Sequence, residues 1–461
     1  MKAARIGEDR TMPESVTLQL AGTLARLRPE DMPPHVLDAT RRTVLDWLGS
    51  ALAGSLEAPA RMGQRVAGGL GASEEATVLG WGRASAAAAA FANGIASHIL
   101  ELDDVHKGST LHGAAPIIPA ALAVAEREHS DGRQFLLAVA VGYEAALRIG
   151  EAVNPSHYRF WHPTGTVATF GAAAAAGCLL GLDVTQMRDA LGSGGTQAAG
   201  LWEFNADGSM SKHLHPGKAA MNGVLAADLA RAGFTGAGKI LEGDRGFFRA
   251  MSERHDASRI TDGLGAQWKI AENCFKLHSC CGHTHTAIDT ALALRAPGPI
   301  ESVCIEMYGP GFEIVSERNP RTPYQAKFSI AYCVAAALCE GQVGLEQFAP
   351  DRFGPDGVRD PAIAALLERT HVRVADDLTA KYPAAWPARL HLTLETGEVR
   401  SGGSNYPRGN PENPVCTAEL QAKFRALVAP RFGEKTARRA IDLVESLESC
   451  PDMADAFAQI S

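Results

Sequence analysis

Apolar residues recur at helical spacing over most of the first 270 positions. Segment 34–52 sets Val36, Ala39, Val44, Trp47 and Leu48 near a 3.6-residue period, and Gly54 then offers a stop signal. Similar Ala/Leu-rich blocks at 84–100, 116–128, 133–149, 166–181, 185–200 and 217–232 predict further helices. Glycine, proline and asparagine clusters separate them: KGSTLHG, NPSHYRFWHPTG and EFNADGS. Loops on a rigid helical frame are where functional groups tend to sit. Segments 84–100 and 160–182 carry no charge. A spanning helix needs about 20 predominantly apolar residues, whereas these contain Asn93, His98, His162 and Thr166 among alanines and glycines. They read as buried helices with small-residue faces, and no membrane partner is expected.

The texture changes after about residue 275. Segment 300–308, IESVCIEMY, alternates as a strand does, 372–374 and 389–394 are two more short strands, and TGE at 396–398 is a hairpin turn into Val399. Helical segments at 282–295, 326–340 and 360–369 lie between them, and 417–460 is helical again. The pattern predicts a mainly α fold with an α+β second domain. A discontinuous helical domain takes 1–272 and 405–461, and an α+β lid takes 273–404.

Composition narrows the function. Among 461 residues, 46% are hydrophobic and 21% charged, an ordinary globular balance that excludes disorder as the starting assumption. The formal net charge of -8 argues against a nucleic-acid partner but leaves room for a locally cationic site. Nine cysteines with no CxxC pair point to a reducing cytoplasm. The opening MKAARIGEDR lacks the apolar run of a secretory signal.

Three polar clusters carry the candidate chemistry. The first, ELDDVHKGSTLHG at 101–113, follows an uncharged helix with three carboxylates and two imidazoles. A solvated loop is the plain reading; the functional one makes His112 a proton donor or acceptor, since a free imidazole titrates near pH 6.5. The second, WEFNADGSMSKHLHPGK at 202–218, places Lys212, His215 and Lys218 before a helix expected to start near Ala219. Lysine charge and a helix N-terminus would together hold a carboxylate; a basic surface patch is the alternative. The third, FKLHSCCGHTH at 275–285, invites a zinc reading, but CC-x-H-x-H is not a usual zinc spacing. Cys281 and His285 would lie one helical turn apart. A catalytic thiol at Cys280 or Cys281 competes with the commoner buried, inert cysteine. His157, Tyr158 and His162 are further lining candidates, and Tyr143 and Arg148 read as packing groups with solvated tips. No dinucleotide fingerprint, Walker A loop or GxSxG elbow is present.

These clusters, in this order, resemble the MmgE/PrpD family. The matching stretches include DWLGSALAG, ASHILELDDVH, LHGAAPIIPAALAVAE, GYEAALRIG, FWHPTGTVATFGAAAAAG, SMSKHLHPGKAA, GFTGAGKILEGDRGF, FKLHSCCGHTHTAID and FSIAY, spread over roughly residues 15 to 450. The resemblance implies a helical domain with a smaller α+β lid, a homodimer, and an active site between the two domains. It implies a cofactor-free enzyme acting on a small anionic carboxylate: 2-methylcitrate-type dehydration first, then epimerisation of an aspartate-derived dicarboxylate, then cis-aconitate-type decarboxylation. It also assigns residues: Asp103, Asp104 and His112 from the acidic loop, His162 from the next loop, Lys212 and Lys276 as cations, and Tyr332 from the lid helix. Where dehydratase and decarboxylase members read DDT, this chain has Val105 after the aspartates.

Proton transfer beside a carboxylate needs cations to stabilise enolate-like charge. Lys212 and Lys276 are the clamps in this reading, His112 moves the proton, and Asp103 or Asp104 orients it or holds a hydroxyl. Lys218, His215, His162, Tyr332 and Cys281 line the substrate. Both clamps are expected to be exposed, so that their loss spares the fold. A carboxylate-binding protein without catalysis is the reading from another class, and a metal-dependent hydrolase rests only on 278–285. The acid/base reading predicts a metal-free enzyme. Elemental analysis should find well under one zinc or iron per chain, and chelator should leave activity intact; a stoichiometric metal whose removal abolishes activity overturns this.

Overall fold

The computed structural model describes residues 15–454 except 72 and 296, together with 456, 457 and 460; the opening decapeptide lies outside the described residues. The helical part opens with α1 (Val16–Leu24), α2 (Pro34–Gly54) and α3 (Ala58–Gly69), followed by a short hairpin of β1 (Ala76–Val78) and β2 (Gly82–Ala84). Then come α4 (Ala86–His98), α5 (Ala114–Arg127), α6 (Gly132–Val153), α7 (Val167–Leu179), α8 (Val184–Gly195), the single turn α9 (Phe204–Asp207) and α10 (Ser211–Arg231). Two short helices, α11 (Phe247–Met251) and α12 (Ser258–Thr261), complete this stretch.

Local chemistry sets several boundaries. Asp131 and Asp183 cap α6 and α8 by accepting from the backbone N–H of Gln134 and Gln186, whose side chains accept in return. One boundary departs from expectation. Helix α10 starts at Ser211, not near Ala219, and absorbs Pro216 within its second turn. Lys212, His213 and His215 are therefore helical residues, and no helix N-terminus lies beside Ala219.

The α+β part contains α13 (His285–Leu294), β3 (Ile300–Met307), α14 (Gly309–Val315), α15 (Pro323–Lys327), α16 (Ile330–Glu340), a minor β4/β5 hairpin (Phe353–Gly354, Gly357–Val358) and α17 (Pro361–Glu368). It continues with β6 (Thr370–Val374), α18 (Asp376–Thr379), β7 (Ala388–Leu394) and β8 (Val399–Ser404). The sheet order is β6-β3-β7-β8, with β3 parallel to β6 and antiparallel to β7. Strand β7 alternates strictly, burying Ala388, Leu390, Leu392 and Leu394, the first three in the lid core with Ile288, Val303 and Val334. Helices α19 (Thr417–Phe432) and α20 (Glu434–Glu445) follow; Leu420, Phe424 and Ile441 share the core of Trp47, Phe135 and Phe170.

The Ala/Gly-rich helices explain how the site is positioned. A Cβ on Gly94 of α4 would lie 2.7 Å from the Gly217 Cα of α10, and one on Gly54 would lie 2.1 Å from the Ala96 carbonyl. Gly142 and Gly171 join α6 to α7 in the same way. Backbones this close leave no room for side chains, which is why these runs are small rather than merely apolar. Among the described residues no helix is long and apolar enough to cross a membrane. The α4–α10 seam sets the end of α4, with His98, against the first turn of α10, with Lys212. Gly94→Ala should therefore lower stability by about 1–3 kcal/mol through overpacking, despite a helix-propensity gain of about 1 kcal/mol. Gly68→Ala, which meets open space, should match or exceed wild type. Denaturant titration of the two variants checks the contrast; equal stability would remove the seam from the argument.

Candidate active site

The polypeptide leaving α4 turns back at Glu101, which has a left-handed φ of 58°. A non-glycine side chain pays strain there, and this one is held by charge. Its carboxylate forms a close ion pair with Lys212 and a second one, at 3.3 Å, with Lys276. All three groups are buried, with Glu101, Lys212 and Lys276 only 1%, 2% and 1% exposed. Burial pushes the Glu101 carboxyl up, but the two ammonium groups outweigh it and hold it well below its usual range. Burial likewise depresses Lys276, and Glu101 and Asp103 more than restore its proton affinity. Lys212 and Lys276 are therefore buried cations that pair within the structure, contrary to their expected exposure. Sequence reading passed over Glu101 as an anchor, although it stands in the quoted acidic motif.

The two aspartates divide their roles. Asp104 accepts from the Ala114 backbone N–H at 3.0 Å and from the Tyr143 hydroxyl at 2.5 Å, fixing the start of α5. Burial, with the Asp103 charge adding to it, raises its pKa to about 7. Asp103 accepts from His98 Nδ1 at 2.7 Å and lies 3.4 Å from His112 Nδ1. Burial pushes Asp103 up, but the neighbouring imidazoles keep it well below the ordinary carboxylate range.

His112 donates from Nδ1 to the Asp104 carbonyl at 2.6 Å, which leaves Nε2 as the free nitrogen. Burial lowers its pKa to about 3, so the resting imidazole is neutral. His98 lies beside it, with ring centroids 4.7 Å apart, and stacks on His162 at 5.7 Å. His162 and His215 meet through their Nδ1 atoms at 3.0 Å, and burial depresses both. His98 and His213 belong to this row and were not singled out from the sequence; His98 was visible there only as a polar break in an apolar run.

Other assignments shift. Lys218 donates to the carbonyls of Gly165, Gln197 and Ala199, so it ties down the loop behind His162. Tyr332 is not brought to the site: its hydroxyl bonds the Gln347 carbonyl in the lid core, against Phe348 and Phe353. Cys281 is buried near Lys212, Glu101 and Lys276, and burial pushes its thiol up to about 12, which suits an inert lining group rather than a nucleophile. Tyr143 and Arg148 have no solvated tips, because both are fully buried; Arg148 pairs with Glu144 and caps carbonyls of 260–267. His157 is tied to the Met251 carbonyl and Thr166. Val105 packs with Tyr308, Leu378 and Trp386, so it joins the helical part to the lid.

Two supports come from residues that were not singled out in the sequence. Lys423 of α19 donates to the Leu102 carbonyl at 2.7 Å and to Asp46 at 2.5 Å, bracing the acidic loop from behind. Lys327 of the lid reaches the Leu100 carbonyl at 2.9 Å, and burial lowers its pKa to about 8. A cavity of about 690 Å³ lies beside Tyr158 and Trp202, between the helical part and the lid residues Pro310, Glu313 and Tyr382. Trp202 packs on His162 at 5.0 Å between ring centroids, which places this cavity next to the imidazole row.

Two groups of side chains have metal-ligating geometry among the described residues: His98, His112 and His162, and His106, Glu151 and Glu272. Lys269 already pairs with both glutamates of the second, and Lys276 adds like charge near the first. The 278–285 segment forms neither. There His278 bonds Asp289, His283 bonds Tyr308, and Cys280 bonds Thr284.

Fold and site thus define a two-part, helix-dominated protein with a buried cluster of paired charges and imidazoles at the junction. Residues 18–260 match the MmgE/PrpD N-terminal domain and residues 278–449 the MmgE/PrpD C-terminal domain; the chain belongs to the MmgE/PrpD family. It is similar to the cis-aconitate decarboxylase-like protein oryM of Aspergillus oryzae, 29% identical over 483 residues that cover 98% of each chain. It is 26% identical to the cis-aconitate decarboxylase of Aspergillus terreus over 97% of this chain and 96% of the relative. Against the Homo sapiens cis-aconitate decarboxylase it is 27% identical, over 96% and 93%. The chain is an enzyme of the MmgE/PrpD type.

The ion-pair array generates a stability test. Lys212→Ala should cost about 3–5 kcal/mol of stability, because it leaves the buried Glu101 carboxylate with Lys276 as its one remaining ion-pair partner, and at least tenfold in kcat/KM, about 1.4 kcal/mol. Glu101→Gln, which takes the shared carboxylate from both buried ammonium groups, should cost at least as much stability as Lys212→Ala. A Glu101→Gln variant as stable as wild type in denaturant titration would show that Glu101 is not the partner that matters.

Proposed function

We propose that this protein is a lyase that moves a proton on a small di- or tricarboxylate, with decarboxylation of a cis-aconitate-type acid as its first candidate reaction. The observation that carries the reading is the pair of buried lysines bridged by Glu101 beside His112 and His98. The near full-length similarity to proteins named for that decarboxylation moves it ahead of dehydration, which led on sequence grounds. In this reaction the bond to one carboxylate breaks and carbon dioxide leaves. The electron pair spreads into the adjoining double bond and remaining carboxylate, where Lys212 and Lys276 stabilise it. One proton is then delivered to carbon from His112 Nε2. The resting imidazole is neutral, so it takes that proton when the polyanion binds and raises its proton affinity.

Hydro-lyase chemistry is the second reading, favoured by that same neutrality: a free Nε2 lone pair is ready to remove a proton from carbon while hydroxide departs. A cytoplasmic homodimer free of cofactors completes the proposal.

NMR of the enzyme with cis-aconitate, 2-methylcitrate and iminodisuccinate in heavy water distinguishes carbon dioxide loss, elimination and exchange without net reaction. His112→Gln should lower kcat by about 10²–10⁴-fold while binding of a substrate-like acid changes far less. The pH profile of kcat gives the direction of transfer. A proton donor loses activity as pH rises through the pKa of His112 in the complex, whereas a base loses it as pH falls. Wild-type turnover in His112→Gln would assign the proton to another group, with His98 and His162 next in line.

A further inference from the structure

Three buried polar atoms near the Glu101 array have no hydrogen-bond partner among the described residues: His98 Nε2, His213 Nδ1 and the Tyr324 hydroxyl. They sit on successive rings. His98 and His213 are 6.5 Å apart between centroids, and His213 and Tyr324 are 6.4 Å apart. The row therefore leads from the imidazoles beside His112 towards the lid.

Tyr324 lies on α15 of the lid. Its ring stacks on Phe328 at 5.0 Å, and the Phe328 ring in turn carries Lys212 Nζ at 4.9 Å from its centroid. On the other side Gly208, with φ at +68°, abuts the ring; a Cβ there would come within 3.0 Å of the tyrosine Cδ1. Packing thus fixes the ring, and a phenylalanine would satisfy every one of these contacts. The hydroxyl is the part that packing does not explain. Left unpaired in a buried place it is unfavourable, and burial, with the Glu101 charge adding to it, keeps it protonated. Burial also lowers the pKa of His213 to about 3, so that ring is neutral.

We propose that Tyr324 and His213 form the far end of the substrate site, a neutral hydrogen-bonding subsite for the carboxylate arm most distant from the reacting carbon. Lys212 and Lys276 hold the arms at the reacting end, and the Tyr324 O–H donates to the remote one. The consequence is selection of tricarboxylates over dicarboxylates. This inference rests on the carboxylate reading above and adds to it the residue that counts the arms.

The test uses Tyr324→Phe and two unreactive probes, propane-1,2,3-tricarboxylate and glutarate, followed by calorimetry and thermal melting of the full chain. Wild type should bind the tricarboxylate more tightly than glutarate. Tyr324→Phe should lose at least tenfold in tricarboxylate affinity and change less than twofold for glutarate. Without ligand it should melt at or above the wild-type temperature, because no hydrogen bond is lost. Equal tricarboxylate affinity in the two proteins overturns the proposal. A parallel loss for both acids, or a lower melting temperature without ligand, overturns it in favour of a structural role. If wild type binds neither acid, the carboxylate reading itself fails and takes this one with it.

Discussion

A carboxylate buried between two buried ammonium groups is the constraint around which this protein is arranged. Glu101 sits in a left-handed backbone conformation, 1% exposed, and reaches Lys212 and Lys276 from the end of α4. None of the three groups is tolerable there alone, since an unpaired charge in a protein interior is strongly destabilising. The rest of the architecture supplies their mutual geometry. Gly94 against Gly217 lets α4 and α10 approach until backbone meets backbone. Asp104 ties the acidic loop to the start of α5, and Lys423 braces it from the C-terminal helix.

Charge balance also shapes the chemistry. The site is less cationic than a count of its lysines suggests, because Glu101 and Asp103 stay ionised beside them. The surrounding imidazoles at His112, His162, His213 and His215 are all depressed by burial. On the proposed reading, an entering polycarboxylate would meet paired lysines and neutral rings. Its own negative charge would then raise the proton affinity of those rings, so that the proposed binding and proton supply would be coupled through electrostatics rather than through a separate acid.

The helical periodicity, the strand alternation of β3 and β7, and the clusters around Asp103, Lys212 and Lys276 were legible in the sequence, because each is local. The failures share a cause. Lys212 and Lys276 were taken as exposed because lysine usually is; only tertiary structure reveals Glu101 lying between them. The start of α10 was placed near Ala219 because Gly and Pro at 216–217 read as loop, whereas the helix tolerates the proline in its second turn and uses the glycine for its contact with α4. Tyr332 lies on the correct lid helix but faces the lid core, an orientation that motif order does not encode. His98 sat in a run of alanines whose apolar character concealed its one polar face.

The lid does more than cover the centre, since the site is incomplete without it. Cys281 precedes α13, Lys327 crosses to the Leu100 carbonyl, and Phe328 carries Lys212 on its ring. Val105 from one side meets Tyr308, Leu378 and Trp386 from the other, together with Cys274, in a shared apolar cluster. That cluster holds the two parts together where the loop bearing Asp103 and Asp104 ends. Valine at that position adds apolar contact to the junction, where a threonine hydroxyl would need a partner. Substitutions at this junction should therefore act on how firmly the two parts are held together, while those at Glu101, Lys212 and His112 act on the charge balance. The two kinds of change are separable because different side chains carry them, even though Val105 lies on the same short loop as Glu101 and His112.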